Sequence, residues 1–135
     1  MYNILYKSSS TNDLDQDDLS QILQVARANN QKLCITGMLL YYEGLFIQLL
    51  EGEKEQVEEV FDKISQDSRH CNIELLIGVD ASDRYFPNWQ MGFKWLDKSD
   101  LRRIENHDNA DIRNVLKTSQ PFKLIKLMSH SHWQQ

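Results

Sequence analysis

A β-hairpin between Ile35 and Gly52 constrains the fold more than any other stretch of this sequence. Two apolar runs, Met38 to Tyr42 and Leu45 to Leu50, flank the dipeptide Glu43-Gly44, and glycine tolerates the positive φ of a tight hairpin turn. Both runs are apolar at successive rather than alternate positions, so we expect both faces of the sheet to be covered. The hairpin is therefore predicted to lie at the centre of the sheet.

Gln48 is the only polar side chain within the run Leu45 to Leu50. Strand side chains alternate between the two faces, so Gln48 points the same way as Phe46 and Leu50. A buried primary amide has to satisfy two N–H donors and one acceptor oxygen. The backbone or a buried water can do this, and so can a polar side chain or a ligand. The run by itself leaves these explanations open.

Length, composition and charge favour a single domain that does not bind nucleic acid. With 135 residues, 41% of them hydrophobic, the chain can bury a core without disulfides or metals. The net charge is -5 and no basic stripe occurs, which argues against a DNA- or RNA-binding surface. We therefore expect no nucleic-acid partner.

The cysteines and the N-terminal residues indicate a cytoplasmic protein. Cys34 and Cys71 lie in apolar, strand-like runs without a CxxC motif, and we predict both to be core residues in a reducing compartment. The start, MYNILYKSSS, lacks the long apolar core of a signal peptide. No apolar run approaches the length that crosses a membrane, so we expect no membrane partner.

Hydrophobic spacing around the hairpin predicts a regular order of strands and helices. Apolar alternation indicates strands, whereas apolar residues at i, i+3, i+4 and i+7 indicate helices that pack by one face. The first predicted elements are a strand over Tyr2 to Ser8 and a helix capped by Asp17 or Asp18 that ends near Asn29-Asn30. The hairpin strands follow over Leu33 to Tyr42 and Leu45 to Glu51, and a second helix carries Val57, Val60, Phe61 and Ile64. The last two elements are a strand over Asn72 to Val79 and a short strand around Met91 to Lys94.

This order is βαββαβ with a fifth strand, which predicts an α+β, ferredoxin-like fold. Right-handed crossovers place both helices on one sheet face and bring the first and third strands side by side. From Asp97 the chain becomes charged and shows no further hairpin signal. We expect a domain over residues 1–96 and a C-terminal helical extension over residues 97–135 that covers the other face.

Two polar groups have an ordinary structural explanation beside any functional one. Asn29-Asn30 would end the first helix, because asparagine tolerates the left-handed conformation of a C-cap. Asp67, Arg69 and His70 follow the second helix and would form a helix end and a loop salt bridge. The residues alone leave both groups open to either explanation.

A groove follows if Tyr6 of the first strand and Gln48 of the third both point to the helix-covered face. The phenol and the amide then lie within hydrogen-bonding range, Ile22 and Ile64 form the walls, and Asn30 lies at one end. Such a slot suits a planar, mostly apolar ligand with amide-like edges. No phosphate-binding loop, no nucleophile with a base beside it and no metal site is predicted.

Several spaced motifs in this chain resemble the BLUF domain, the blue-light sensor using flavin. They are LYKSS, ARANN followed by ITGMLLY, GLFIQLLEG, DSRH and FPNWQMGF, and they extend from about Tyr2 to Trp95. The resemblance implies a non-covalently bound flavin, with FAD expected and with FMN and riboflavin as alternatives. It also implies the ferredoxin-like fold that the order of elements predicts.

The resemblance further implies a role for individual residues. Tyr6 is the light-reactive tyrosine, Gln48 is the switching glutamine, and Trp89 and Met91 transmit the change. Ala26 stands where many family members have a serine that joins the glutamine network, which leaves the photocycle kinetics open. The implied cofactor-binding residues are Tyr6, Ile22, Asn29, Asn30, Gln48, Ile64, Asp67, Arg69 and His70.

The function that follows is a sensor rather than an enzyme, signalling through a homo-oligomer or a downstream protein partner in trans. The alternatives are a flavin-dependent oxidoreductase, an acyl- or phosphate-handling hydrolase on the same scaffold, and an interaction module without a cofactor. The hydrolase would need an arginine beside an asparagine near the first loop, where this chain has Lys7 and serines. A reversible, light-induced red shift of bound flavin distinguishes the sensor from a redox enzyme.

Overall fold

The structure is a computed structural model that describes residues 1–95 except Asp13, Glu43, Trp89 and the side chain of Lys94. The predicted extension over residues 97–135 therefore lies outside the described residues, as do the helices expected on the second sheet face. In chain order the elements are β1 (Tyr2–Ser10), α1 (Gln16–Leu33), β2 (Thr36–Tyr42), β3 (Leu45–Gly52), α2 (Lys54–Ser65), β4 (His70–Asp80) and β5 (Gly92–Trp95).

The strands form one five-stranded sheet in the order β4-β1-β3-β2-β5. β1 pairs antiparallel with both β3 and β4, and its register on β3 places Tyr6 directly opposite Gln48. β2 and β3 form the predicted hairpin, whose turn contains Gly44 at a φ of 81°. β5 joins β2 in parallel. The α+β ferredoxin-like fold and the central position of β3 are thus confirmed.

The start of α1 differs from the prediction. Its N-cap is Asp15, so Asp17 and Asp18 lie in the first turn rather than at the cap. The Asp15 side chain accepts a hydrogen bond from the Asp18 N–H, and the Asp18 carboxylate accepts one from the Asp15 N–H. This reciprocal pair satisfies two donors that a helix start leaves free, which is why the helix begins at this aspartate.

The end of α1 also differs, because Asn29-Asn30 is not the C-cap. The helix continues for most of a turn to Leu33, and Cys34 takes the left-handed cap conformation at a φ of 56°. The predicted strand over Leu33 to Tyr42 accordingly begins only at Thr36. Cys34 is exposed rather than in the core, since it lies at a helix end and not inside a strand. Cys71 is only half-buried.

Both helices pack on the sheet face that carries Tyr6 and Gln48. The second face of the central strands is buried as well, since Leu5 and Leu49 on that face are no more than 1% exposed. The expectation that both faces are covered is therefore confirmed for these strands. The core on the helix-covered face combines residues from α1, α2 and the strands, among them Tyr6, Leu19, Ile22, Leu39, Phe46, Leu50, Val57, Val60 and Met91.

Candidate functional site

A cleft opens between α1, α2 and the sheet. It encloses about 720 Å³ of empty space, counting the part that is open to solvent. Of the predicted cofactor-binding residues, all except Tyr6 line it directly, and Ala26 lies in its wall. The lining residues are Ile22, Val25, Ala26, Asn29, Asn30, Leu33, Leu39, Gln48, Val60, Lys63, Ile64, Asp67, Arg69 and His70.

Tyr6 lies beneath the cleft and reaches it through Gln48. Its side chain is fully buried, and its hydroxyl donates a hydrogen bond to Oε1 of Gln48. Burial raises the pKa of Tyr6 far above its ordinary value, and the nearby charge of Asp67 acts in the same direction. Tyr6 is therefore a neutral phenol whose hydroxyl is available as a donor.

The other end of the Gln48 amide contacts Met91. Nε2 of Gln48 lies 3.4 Å from Sδ of Met91, whose side chain is 1% exposed. A thioether sulfur is a weak acceptor, and no second acceptor for this NH2 group is found among the described residues. The amide thus has one strong bond, one weak bond and spare donor capacity beside the cleft. Trp89, the other predicted transmitting residue, lies outside the described residues.

The C-terminal half of α1 holds the segment that carries Met91. Asn30 is buried, and its Nδ2 donates to the carbonyl oxygen of Gln90 at 2.8 Å. Nε of Arg27 donates to the carbonyl oxygen of Met91 at 3.0 Å. Arg27 was not predicted from the sequence, although its position three residues before Asn30 places both side chains on the same side of the helix.

Asp67 and Arg69 form the loop salt bridge that the residues suggested, and both also line the cleft. Nη2 of Arg69 lies 2.6 Å from Oδ2 of Asp67, and the Arg69 backbone N–H donates to Oδ1 at 2.9 Å. These hydrogen bonds lower the pKa of the Asp67 carboxyl, because they favour its charged form. Forming the loop salt bridge and lining the cleft are therefore compatible roles for Asp67 and Arg69.

His70 closes one side of the cleft at the start of β4. Its Nδ1 lies 2.9 Å from Oγ of Ser8, and its ring centroid is 4.7 Å from that of Phe46. Burial is the main cause of its lowered pKa, with the positive charge of Arg69 acting in the same direction and Asp67 opposing it. His70 is thus held by a hydroxyl and an aromatic ring, in surroundings that favour its neutral form.

Lys63 lines the cleft, although the sequence pattern did not predict it there. It lies next to the predicted wall residue Ile64 and three positions after Val60, which is also in the wall. Its ammonium is exposed and lies 3.6 Å from the Glu59 carboxylate. Exposed pairs of this kind contribute little stability, so the Lys63 charge remains available to a ligand.

The donor set fits a flat aromatic ring with polar edges. Ile22 and Ile64 supply apolar walls, while the Gln48 amide and the Asn30 oxygen supply donor and acceptor groups at the inner end. Within the described ranges, no cluster of three or more potential metal ligands occurs. None of the helices in the described part of the chain is long and apolar enough to span a membrane.

Comparison with known proteins identifies relatives that share this fold. The chain is 38% identical over 84 residues to photoactivated adenylate cyclase subunit beta of Euglena longa, which covers 62% of this chain and 10% of that protein. It superposes on the ground state of BlsA with a TM-score of 0.85 and 28% identity, covering 99% of this chain and 91% of that chain. For the photo-activated state of BlsA the TM-score is 0.85 at 29% identity, with 99% and 98% covered.

The chain spans about a tenth of the length of its Euglena relatives, so the likeness to them concerns one domain. The family model described as BLUF, sensors of blue-light using FAD, matches residues 1–92. This match covers most of the described chain, including β1, β3 and the cleft between α1 and α2. The chain therefore belongs to the BLUF family of flavin-based blue-light sensors.

Proposed function

We propose that this chain senses blue light with FAD bound in the cleft between α1 and α2, and that Tyr6, Gln48 and Met91 form its switch. The observation that carries the proposal is the continuous contact from the Tyr6 hydroxyl through the Gln48 amide to the Met91 sulfur. This series meets the cleft at Gln48 and ends in a buried residue beside β5. It connects a ligand site to an edge of the sheet.

The cleft residues divide the work of holding the cofactor. Ile22 and Ile64 would pack on the two faces of the ring, and Gln48 would direct its spare N–H to the ring's polar edge. The Asn30 amide nitrogen is engaged by Gln90, which leaves its oxygen to accept a hydrogen bond from the ring. Lys63 would meet the phosphates of FAD or FMN, a contact that riboflavin cannot make.

The switch follows from the chemistry of the amide. When bound, the flavin supplies absorption of blue light and an acceptor for an electron from Tyr6. Gln48 now accepts from the Tyr6 hydroxyl and donates to Met91. If the amide turns over, its NH2 faces Tyr6 and its oxygen faces the Met91 sulfur, so the Met91 contact is lost. Two networks of similar energy make a bistable element that a small local change can bias.

The output is proposed to be regulatory rather than catalytic. Residues 1–96 would be the sensing domain, and the extension over 97–135 would pass the signal to a homo-oligomer or to a downstream protein in the cytoplasm. The names of the Euglena relatives, photoactivated adenylate cyclase subunits, support a regulatory role, because the region they share with this chain is a small part of each protein.

The experiment is reconstitution of the purified full chain with FAD, FMN and riboflavin in separate titrations, followed by visible spectra before and after blue illumination. We expect one flavin per chain, the tightest binding for FAD, and a red shift that reverses in the dark. Folded protein that stays colourless would refute the flavin site. Bound flavin that bleaches without a reversible red shift would instead favour a redox enzyme.

A further inference from the structure

We infer that Arg27 is a positioning residue that ties α1 to the segment carrying Met91, immediately before β5, and limits how far the Gln48 switch can move that segment. The inference rests on the proposed function, because it concerns what happens after Gln48 turns. It adds a second connection between the cofactor cleft and β5, made through the backbone rather than through the Met91 side chain.

The geometry sets Arg27 apart from the other basic residues of the cleft region. Its side chain is half-buried, and Nε donates to the Met91 carbonyl oxygen at 3.0 Å. Asn30, on the same side of α1, donates to the neighbouring Gln90 carbonyl oxygen at 2.8 Å. Two consecutive carbonyls immediately before β5 are thus held by one helix, and that helix also lines the cleft with Ile22.

Met91 is therefore held in two ways that differ in strength. Its sulfur accepts a weak hydrogen bond from the Gln48 amide, whereas its carbonyl accepts a charge-assisted bond from a guanidinium. When Gln48 turns, Met91 loses the hydrogen bond to its sulfur but keeps the one that Arg27 donates to its carbonyl oxygen. Arg27 then acts as a pivot, so the change passes to the Met91 side chain and to β5 beyond it without releasing the whole segment from α1.

The prediction is that removal of the Arg27 donor loosens this segment in the dark without disabling the light reaction. Arg27→Met keeps much of the length of the side chain but removes its N–H donors. Arg27→Lys keeps the charge and places a single ammonium group on a flexible stem. Lys32→Met removes a positive charge from an exposed position on the same helix and is the matched control. All variants are made in the full chain and loaded with flavin.

The measurements are the amplitude of the red shift, the rate of dark recovery and hydrogen exchange of the backbone amides of residues 90–95 in the dark and in the light. For Arg27→Met we expect an unchanged red shift and exchange of these amides about tenfold faster in the dark, as for the loss of one charge-assisted hydrogen bond. The rate of dark recovery should change by about threefold or more. Arg27→Lys should be intermediate, and Lys32→Met should match the wild type.

Three outcomes separate the possibilities. Wild-type exchange and recovery in Arg27→Met would overturn the positioning role. Faster exchange throughout α1 and β1, with no rescue by Arg27→Lys, would also overturn it, since that is the effect of general destabilisation. If the wild type shows no red shift, the proposed function fails, yet local dark-state exchange that increases in Arg27→Met and is partly restored in Arg27→Lys still supports the tie to Met91.

Discussion

The two faces of β1 and β3 carry buried polar residues of opposite character. On the helix-covered face Tyr6 lies opposite Gln48, and on the second face Asn3 lies opposite Glu51. All four side chains are buried. The amide of Gln48 can exchange its donor and acceptor ends, whereas the carboxyl oxygens of Glu51 accept from all the partners they have on this face. The first pair can therefore switch, while Glu51 can only hold its partners in one arrangement.

Glu51 holds the loop that leads toward Met91. Its carboxylate accepts hydrogen bonds from the Thr36 hydroxyl and from the backbone N–H groups of Tyr85 and Phe86. Arg84 donates to the Thr36 hydroxyl at 2.7 Å and to the Glu51 carbonyl oxygen at 3.1 Å. Burial raises the pKa of Glu51, and these donors oppose that shift. The second face thus anchors one end of the segment whose other end the Gln48 switch contacts.

Asn3, the cross-strand neighbour of Glu51, has no hydrogen-bond partner for either atom of its amide among the described residues. A buried amide left in this way costs about 1 to 3 kcal/mol. The contrast with Gln48, which has partners at both ends, shows that burial alone does not create a network. A network requires groups at the right distance on neighbouring elements.

The largest expected effect is loss of the light response from the helix-covered face. Tyr6→Phe removes the hydroxyl that donates to Gln48, and Gln48→Leu removes the amide that can turn. Both variants should bind flavin and remain folded, yet form no long-lived red-shifted state in spectra recorded through dark recovery. Asn3→Leu, on the opposite face of the same strand, is the control and should keep the full shift. A wild-type shift in either test variant would refute the switch.

The next effect is on stability and comes from the second face. Glu51→Leu deletes the acceptor for Thr36 and for two backbone N–H groups, and it should lower the free energy of unfolding by about 1 to 3 kcal/mol. The measurement is urea unfolding at saturating flavin, so that ligand binding contributes equally. Glu58→Gln, which changes an exposed acid, should cost less than about 1 kcal/mol. Equal effects of the two variants would contradict the anchoring role of Glu51.

A smaller effect, of opposite sign, is expected at Asn3. Asn3→Leu replaces an amide without partners by an apolar side chain of similar size, so it should stabilise the protein by about 1 kcal/mol. The same urea experiment measures it. Destabilisation by more than about 1 kcal/mol would mean that the amide has a partner in solution.

The smallest expected effect is on the pH dependence of stability, and it comes from His70. Its pKa is lowered in the folded protein, so the folded state favours the neutral ring. The stabilisation it contributes is complete above its ordinary pKa of 6.5 and is lost as the pH falls from 6.5 through the folded value. His70→Gln should therefore lose less stability than the wild type over this acidic window, as measured by thermal unfolding. Identical pH profiles would refute the assignment.

Local patterns were sufficient for the frame of the site. The alternation of β3 predicts that Gln48 shares a face with Phe46 and Leu50, because strand geometry repeats every two residues. That Tyr6 lies on the same face was a condition of the predicted groove, and the register of β1 on β3 meets it. Helical spacing likewise predicts Ile22 and Ile64 as walls, since residues three and four apart share a helix face. The motifs that resemble the BLUF family then implied what the cleft binds, and the match to the family confirmed that membership.

Contacts with the backbone could not be predicted in this way. Asn30 resembles a helix end in the sequence, but its amide bonds to the carbonyl of Gln90 and the helix continues past it. Arg27 reaches the carbonyl of Met91, and Glu51 accepts from N–H groups of a distant loop. Every residue has a carbonyl, and every residue except proline has an N–H, so such partners leave no mark in the pattern of side chains. The side-chain periodicity of the sequence by itself determined the strands, the helices and the faces of the cleft, whereas the ties that connect it to β5 were decided only by how the chain packs.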